Sequence, residues 1–289
     1  MKILLLGHTG QVGWELQRCL APLGELAAPG RELLDLGRPD TVAAAVRAIG
    51  PDLIVNATAY NAVDRAESEV QACFAVNAES VAVLAQEAAR LGALLVHYST
   101  DYVFDGAKRA PYVESDPAAP INVYGRSKLE GERRIASSGC RHLILRTSWV
   151  YAMRGSNFVL TMLGLARERP QLRVVNDQVG VPTWARDVAA ATLSALKRPE
   201  PVQGLYHLTS AGSTTRFDFA RRVLQLAGLA TPVMPVLTAV YPTAAVRPPY
   251  SVLDSSRFQQ ATGLRIGPWD ERLQVCLEEP DAAAGGSRA

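Results

Sequence analysis

Lysine, cysteine and long apolar runs are scarce in this sequence, and each scarcity narrows what the chain can do. Four of its 289 residues are lysine, and the formal net charge of +2 comes without basic blocks or interleaved aromatics. Nothing therefore marks a surface for nucleic acid or an anionic membrane. The four cysteines, Cys19, Cys73, Cys140 and Cys276, are far apart, form no C-x-x-C pair and stand among apolar neighbours. That usage speaks against a zinc or disulfide framework and for a reducing cytoplasm. The opening apolar run, Ile3 to Leu6, stops at Gly7 without a cleavage-site pattern and is too short for a signal-peptide core or a membrane span. It reads as a buried first strand. Small-molecule chemistry is left as the default.

Hydrophobic residues make up 48% of the chain, enough to bury one large core or two modest ones. Short apolar runs at Ile3 to Leu6, Leu53 to Val55, Leu94 to Val96 and Leu143 to Leu145 alternate with longer segments of helical period. Strands apolar on both faces belong to parallel sheets covered by helices. The expected architecture is an α/β fold, a Rossmann-like doubly wound parallel sheet with a smaller C-terminal α/β substrate lobe. Beyond Tyr151 prolines multiply, and a helix at Thr215 to Ala227 alternates with short strands such as Leu205 to Leu208. Residues 1–150, with about 176–202, are assigned to the dinucleotide-binding domain, and 151–175 with 203–279 to the substrate lobe. The Ala- and Gly-rich stretch 280–289 is expected to be a disordered tail.

Gly7, Gly10 and Gly13 follow the first strand and open a helical segment, the context in which a glycine-rich turn cradles a dinucleotide. Glycines let the backbone approach a pyrophosphate, and the amides of Gly10, Gln11 and Val12 are placed to donate to it. After the second strand comes Arg31, suited to the additional phosphate of NADP, and then Asp35 and Leu36, assigned to the adenine ring. NADPH is the expected cofactor, with NADH left open.

Tyr124 and Lys128 stand four residues apart, on one face of the helix entered after Pro120-Ile121-Asn122. A lysine cation beside a phenol favours the phenolate and makes the hydroxyl a stronger acid toward a ketone oxygen. Lowering the phenol from about 10 to about 7 corresponds to roughly 4 kcal/mol. The same lysine can bind the nicotinamide ribose. Thr100 ends an apolar strand one β-α unit upstream, where it can donate a second hydrogen bond to the ketone oxygen.

These residues resemble the extended short-chain dehydrogenase/reductase superfamily and, within it, the dTDP-4-dehydrorhamnose reductase family, over nearly the whole chain to about Trp269. The resemblance rests on Gly7-His8-Thr9-Gly10-Gln11-Val12-Gly13-Trp14, Ala62-Val63-Asp64, Tyr98-Ser99-Thr100-Asp101-Tyr102-Val103-Phe104, Tyr124-Gly125-Arg126-Ser127-Lys128, Arg146-Thr147-Ser148-Trp149-Val150-Tyr151 and Asn176-Asp177-Gln178. It implies NAD(P)H-dependent reduction of the 4-keto group of dTDP-4-dehydro-L-rhamnose, with Thr100, Tyr124 and Lys128 carrying catalysis. It also implies Asp101 and Trp149 against the sugar, and Tyr98, Ala59, Tyr60 and Asn61 against the cofactor. Arg247 is assigned to the substrate diphosphate, the alternative being a surface arginine in a proline-rich loop.

Magnesium-linked dimers in that family use acidic side chains; here Trp184-Ala185-Arg186 has no acidic cluster beside it in sequence, so no metal is assigned. The chain is expected to be a monomer or homodimer. Two rivals stay open. A sugar-nucleotide dehydratase or epimerase would share the scaffold, although dehydratases carry an Asp-Glu pair where this chain has Asp101-Tyr102. A catalytically silent regulatory subunit, similar to the beta subunit of methionine adenosyltransferase, would share the fold alone.

Overall fold

The computed structural model describes residues 1–279; the expected tail at 280–289 lies outside them. Six parallel strands form the central sheet: β1 (Lys2–Leu6), β2 (Glu25–Ala27), β3 (Leu53–Asn56), β4 (Leu94–Thr100), β5 (Arg141–Thr147) and β6 (Gly204–His207). Their order is β6-β5-β4-β3-β1-β2, which reverses direction between β1 and β3, the place where doubly wound sheets open a ligand crevice.

Alternation along each strand supplies two cores. Ile3, Leu5, Leu53, Val55, Val96 and Leu145 face a layer that includes Leu16, Leu20, Val188, Ala191 and Phe258, from the helices Gln11–Leu20, Ala185–Leu196 and Ser256–Thr262. Leu4, Leu6, Ile54, Leu95 and Ile144 face Val42, Val46, Val81, Leu84 and Ile135, from Pro39–Ile49, Ser80–Leu91 and Val123–Ser137. A one-residue slip in any strand would exchange its two side-chain sets between these cores, so burial on both faces pins the register.

A separate core holds the second lobe. Tyr151, Val159, Met162, Leu172, Trp184, Phe219, Val223 and Leu273 pack together between the helices Phe158–Glu168, Arg216–Leu226 and Trp269–Glu278. A parallel strand pair, Leu172–Val175 with Val233–Val236, flanks them.

Two segments assigned from sequence to the substrate lobe lie with the central sheet: the helix Ser256–Thr262, through Phe258, and one strand. Gly204–His207, assigned from sequence to the substrate lobe, is the outer strand of the central sheet, paired in parallel with Leu143 to Arg146. Leu205 and Tyr206 pack into the cores on opposite faces of that sheet, so the strand belongs with β5 although more than fifty residues separate them. No helix among the described residues is long and apolar enough to cross a membrane.

Candidate active site

A cavity of about 500 Å³ runs along the carboxyl ends of the central strands, from the glycine turn to Trp149. At one end Gly7 has a φ of +79°, and a Cβ there would meet the Ala57 carbonyl carbon at 2.7 Å. A Cβ on Gly13 would collide with the Gly7 carbonyl, so the turn closes only without side chains. The Gly10 N–H donates to the Gly7 carbonyl at 2.9 Å. It is therefore committed inside the turn, and the expectation that it points at a phosphate is corrected. Gln11 and Val12 are the first residues of Gln11–Leu20, where backbone amides have no partner within the helix. They remain the donors a pyrophosphate requires, and the side-chain-free approach fits a dinucleotide. The Gln11 side chain accepts from Asn157 Nδ2 at 2.9 Å, tying the turn to the second lobe.

A second cavity, about 1040 Å³, continues past β2 and is lined by Arg31, Asp35, Leu36, Ala59, Tyr60 and Arg65, among others. Arg31 is 81% exposed and pairs with Asp35 at 3.1 Å. Asp35 also accepts from the Gly37 N–H at 2.8 Å, and these bonds hold its carboxyl below the ordinary range against a desolvation cost. Leu36 is buried, offering an apolar wall. Tyr60 is anchored by its backbone N–H to Asn77 Oδ1 at 2.9 Å, while Ala59 and Asn61 also line the first cavity.

The catalytic residues of the sequence reading meet in the first cavity. Asn122 Oδ1 accepts from the Gly125 N–H at 2.8 Å and starts Val123–Ser137, which carries Tyr124 and Lys128 one turn apart. Thr100 closes β4, and its hydroxyl donates to Asp101 Oδ1 at 3.0 Å while accepting from the Tyr102 N–H at 3.1 Å. Tyr98, on the same strand, shares a 2.7 Å hydrogen bond with Thr192. Lys128 is 1% exposed; its Nζ donates to the Tyr98 carbonyl at 2.6 Å and lies 3.0 Å from His97 Nε2. Burial pushes the Lys128 pKa down to about 8, partly offset by Glu132.

The pKa of Tyr124 runs opposite to the sequence expectation. Burial raises it above the ordinary phenol value, with the Thr100 hydroxyl pulling the other way. Desolvation of the phenolate dominates, and the Lys128 hydrogen bonds go to His97 and the Tyr98 carbonyl, not to the phenol. Tyr124 is thus held in its protonated form, the state a proton donor needs.

At the far end Asp101 is 2% exposed, and burial pushes its pKa up to about 6. Hydrogen bonds from Ser251 at 2.5 Å and from Thr100 oppose that rise, as does Arg216. Trp149 has a φ of +44° and is the one non-glycine residue with positive φ among the described residues, a conformation costing roughly 1–3 kcal/mol. Arg247 does not line the cavity. Its two guanidinium nitrogens bind Asp64 at 2.6 and 3.1 Å, so the assignment of Arg247 to a diphosphate is corrected to an ion pair that fixes the loop before Tyr250. Sequence reasoning quoted Tyr102 and Ser148 within motifs without giving them a role and missed Asn157 and Arg216 altogether, although all four line the cavity.

A doubly wound parallel sheet, a glycine turn at its crevice and a Tyr-x-x-x-Lys helix facing the end of β4 define an extended short-chain dehydrogenase/reductase. The family model for the RmlD substrate binding domain matches residues 1–281, and the chain belongs to that family. It is 47% identical to dTDP-4-dehydrorhamnose reductase of Escherichia coli K12, with 96% of this chain and 98% of that protein covered. It is 46% identical to the Burkholderia thailandensis dTDP-4-dehydrorhamnose reductase, covering 96% and 99%. The crystal structure of the Bacillus anthracis reductase in complex with NADP superposes with a TM-score of 0.91 at 34% identity, covering 96% of this chain and 98% of that one.

Proposed function

We propose that this protein is a dTDP-4-dehydrorhamnose reductase, which reduces C4 of dTDP-4-dehydro-L-rhamnose to give dTDP-L-rhamnose with NADPH as reductant. The observation that carries the reading is a single cavity in which Thr100, Tyr124 and Lys128 lie between a dinucleotide turn and Trp149. Curated relatives of that name at 46–47% identity over 96% of the chain support it.

The bound nicotinamide supplies a hydride to the ketone carbon. Thr100 and Tyr124 hold the ketone oxygen between two hydroxyls, and Tyr124 passes its proton to that oxygen as negative charge develops. Lys128, one helical turn from the phenol, would hold the cofactor ribose, and Tyr124 regains its proton from solvent. Gln11 and Val12 would bind the cofactor pyrophosphate through their amides, with Gly7, Gly10 and Gly13 admitting it; Tyr98, Ala59 and Asn61, which line the same cavity, would hold its nicotinamide half. Arg31, Asp35, Leu36 and Tyr60 flank the adenosine end. Asp101 and Trp149 meet the sugar. The sheet domain holds the cofactor, the lobe built around Phe219 covers the nucleotide sugar, and the enzyme works in the cytoplasm as a monomer or homodimer.

Purified protein given NADPH and dTDP-4-dehydro-L-rhamnose should oxidise the cofactor in proportion to sugar consumed. Tyr124→Phe should lose about 10²- to 10⁴-fold in kcat while binding NADPH normally, because the ring stays and the proton donor goes. Near-wild-type turnover by that variant would sink the assignment.

A further inference from the structure

Arg216 begins the helix Arg216–Leu226 and lines the same cavity as Tyr124 and Asp101. Its guanidinium carbon lies 3.6 Å from the centroid of the Trp149 ring, covering one indole face. A Cβ on Gly180 would come within 2.5 Å of Trp149 Cε2, so only a glycine there admits the indole. Trp149 thus carries the guanidinium on its ring. It is a platform, and the guanidinium is what the lobe presents to the cavity.

That guanidinium lacks a counter-ion. Arg146, Arg247 and Arg272 each close an ion pair with a carboxylate; Arg216 closes none among the described residues. Its charged neighbours are Asp101, already bonded to Ser251 and Thr100, and a second cation, Arg247; its other polar neighbour is the Tyr102 hydroxyl. An arginine that closes no ion pair, beside a second guanidinium and a carboxylate hydrogen-bonded elsewhere, is an incomplete arrangement that an anionic ligand completes.

We propose that Arg216 binds the diphosphate of the nucleotide-sugar substrate, with Trp149 and Gly180 as positioning residues that hold its plane. This rests on the reductase reading above. The diphosphate is the one charged part of such a substrate; Lys128 is committed to the Tyr98 carbonyl, and Arg247, though it reaches Tyr102, is ion-paired with Asp64, which leaves Arg216 as the cation without a paired carboxylate. The cofactor's own pyrophosphate belongs to the amides of Gln11 and Val12. Arg216 instead neighbours Asp101, the residue after Thr100. A sugar with its ketone at Thr100 and Tyr124 therefore has its glycosyl phosphate about one ring's width away, on the Arg216 side.

The test compares wild-type protein with Arg216→Met, which keeps length without charge, and Arg216→Lys, which keeps charge without the planar fork. Calorimetry measures binding of dTDP, thymidine and NADP⁺. The Met variant should bind dTDP about 10- to 150-fold more weakly, with thymidine and NADP⁺ unchanged and the Lys variant intermediate. Its kcat/KM for the keto sugar should fall mainly through KM. Equal dTDP affinity in wild type and Met variant, while the wild type still reduces the sugar, overturns this proposal alone. Weakened NADP⁺ with unchanged dTDP overturns it in favour of a cofactor contact. Failure of the wild type both to bind dTDP and to oxidise NADPH with the keto sugar overturns the reductase reading beneath it.

Discussion

Lys128 donates a 2.6 Å hydrogen bond to the backbone carbonyl of Tyr98, so the side chain four residues after Tyr124 is anchored to the strand that ends in Thr100. The helix and strand contributions to the site are thereby locked together by one buried amine. Lys128→Met keeps the length of the side chain and removes its charge. The variant should bind NADPH more weakly and lose about 10²-fold or more in kcat. Its thermal midpoint should hold or rise, since a buried ammonium costs desolvation energy. A drop in midpoint with unchanged kinetics would make Lys128 a structural residue.

Cofactor preference should reside at Arg31. The guanidinium is exposed beside the second cavity and steadied by Asp35 at 3.1 Å. A charge-assisted contact with a 2′-phosphate is worth about 1.5 to 3 kcal/mol, or roughly 10- to 150-fold. Arg31→Ala should raise the NADPH KM by that order and leave NADH nearly untouched. Arg65, which lines the same cavity, is paired with Glu69 at 2.6 Å. An unchanged NADPH-to-NADH ratio in the Arg31 variant would move the preference elsewhere.

The parts of the site that were legible in the sequence are those encoded by local spacing. Three glycines after a strand, and a tyrosine and lysine one helical turn apart, declare their geometry within a few residues. Arg216 and Asp101 are 115 positions apart, and no pattern around Thr214-Thr215-Arg216 signals a site. Their meeting is decided by how the second lobe packs over the sheet. Arg247 was misread for the same reason, because its partner Asp64 lies on the far side of the chain in sequence. The strand Gly204–His207 was detected as a strand but assigned to the wrong lobe, since four residues reveal a strand's existence and not its neighbour. The Tyr124 pKa was reversed because sequence shows which charges are near and conceals how far a group is removed from water.

Turnover is expected without a divalent metal. Arg186 donates to Glu15 Oε2 at 3.2 Å and also pairs with Glu279, so a guanidinium already compensates both carboxylates. Thr100 and Tyr124 supply the polarisation that a Lewis acid would otherwise provide. Assays in EDTA should stay within about twofold of those in magnesium. A large loss restored by magnesium alone would show that the carboxylates bind metal in the working enzyme.

Asp101 should make stability depend on pH in the acid range. Burial raises its pKa from 3.8 to about 6 in the folded protein, so the folded state binds more protons than the unfolded state between those values. Its contribution to stability is full below about pH 4, falls as pH rises, and is lost once pH passes about 6. At about 1.4 kcal/mol per unit, the loss is at most roughly 3 kcal/mol. Asp101→Asn retains an acceptor for Thr100 or Ser251 and cannot ionise. It should therefore be more stable than wild type near pH 7.5, with the advantage shrinking to nothing by about pH 4. Urea midpoints for the two proteins at pH 4, 5, 6 and 7.5 measure this directly. A constant difference across that range would mean that Asp101 keeps an ordinary pKa, with Arg216 offsetting its burial.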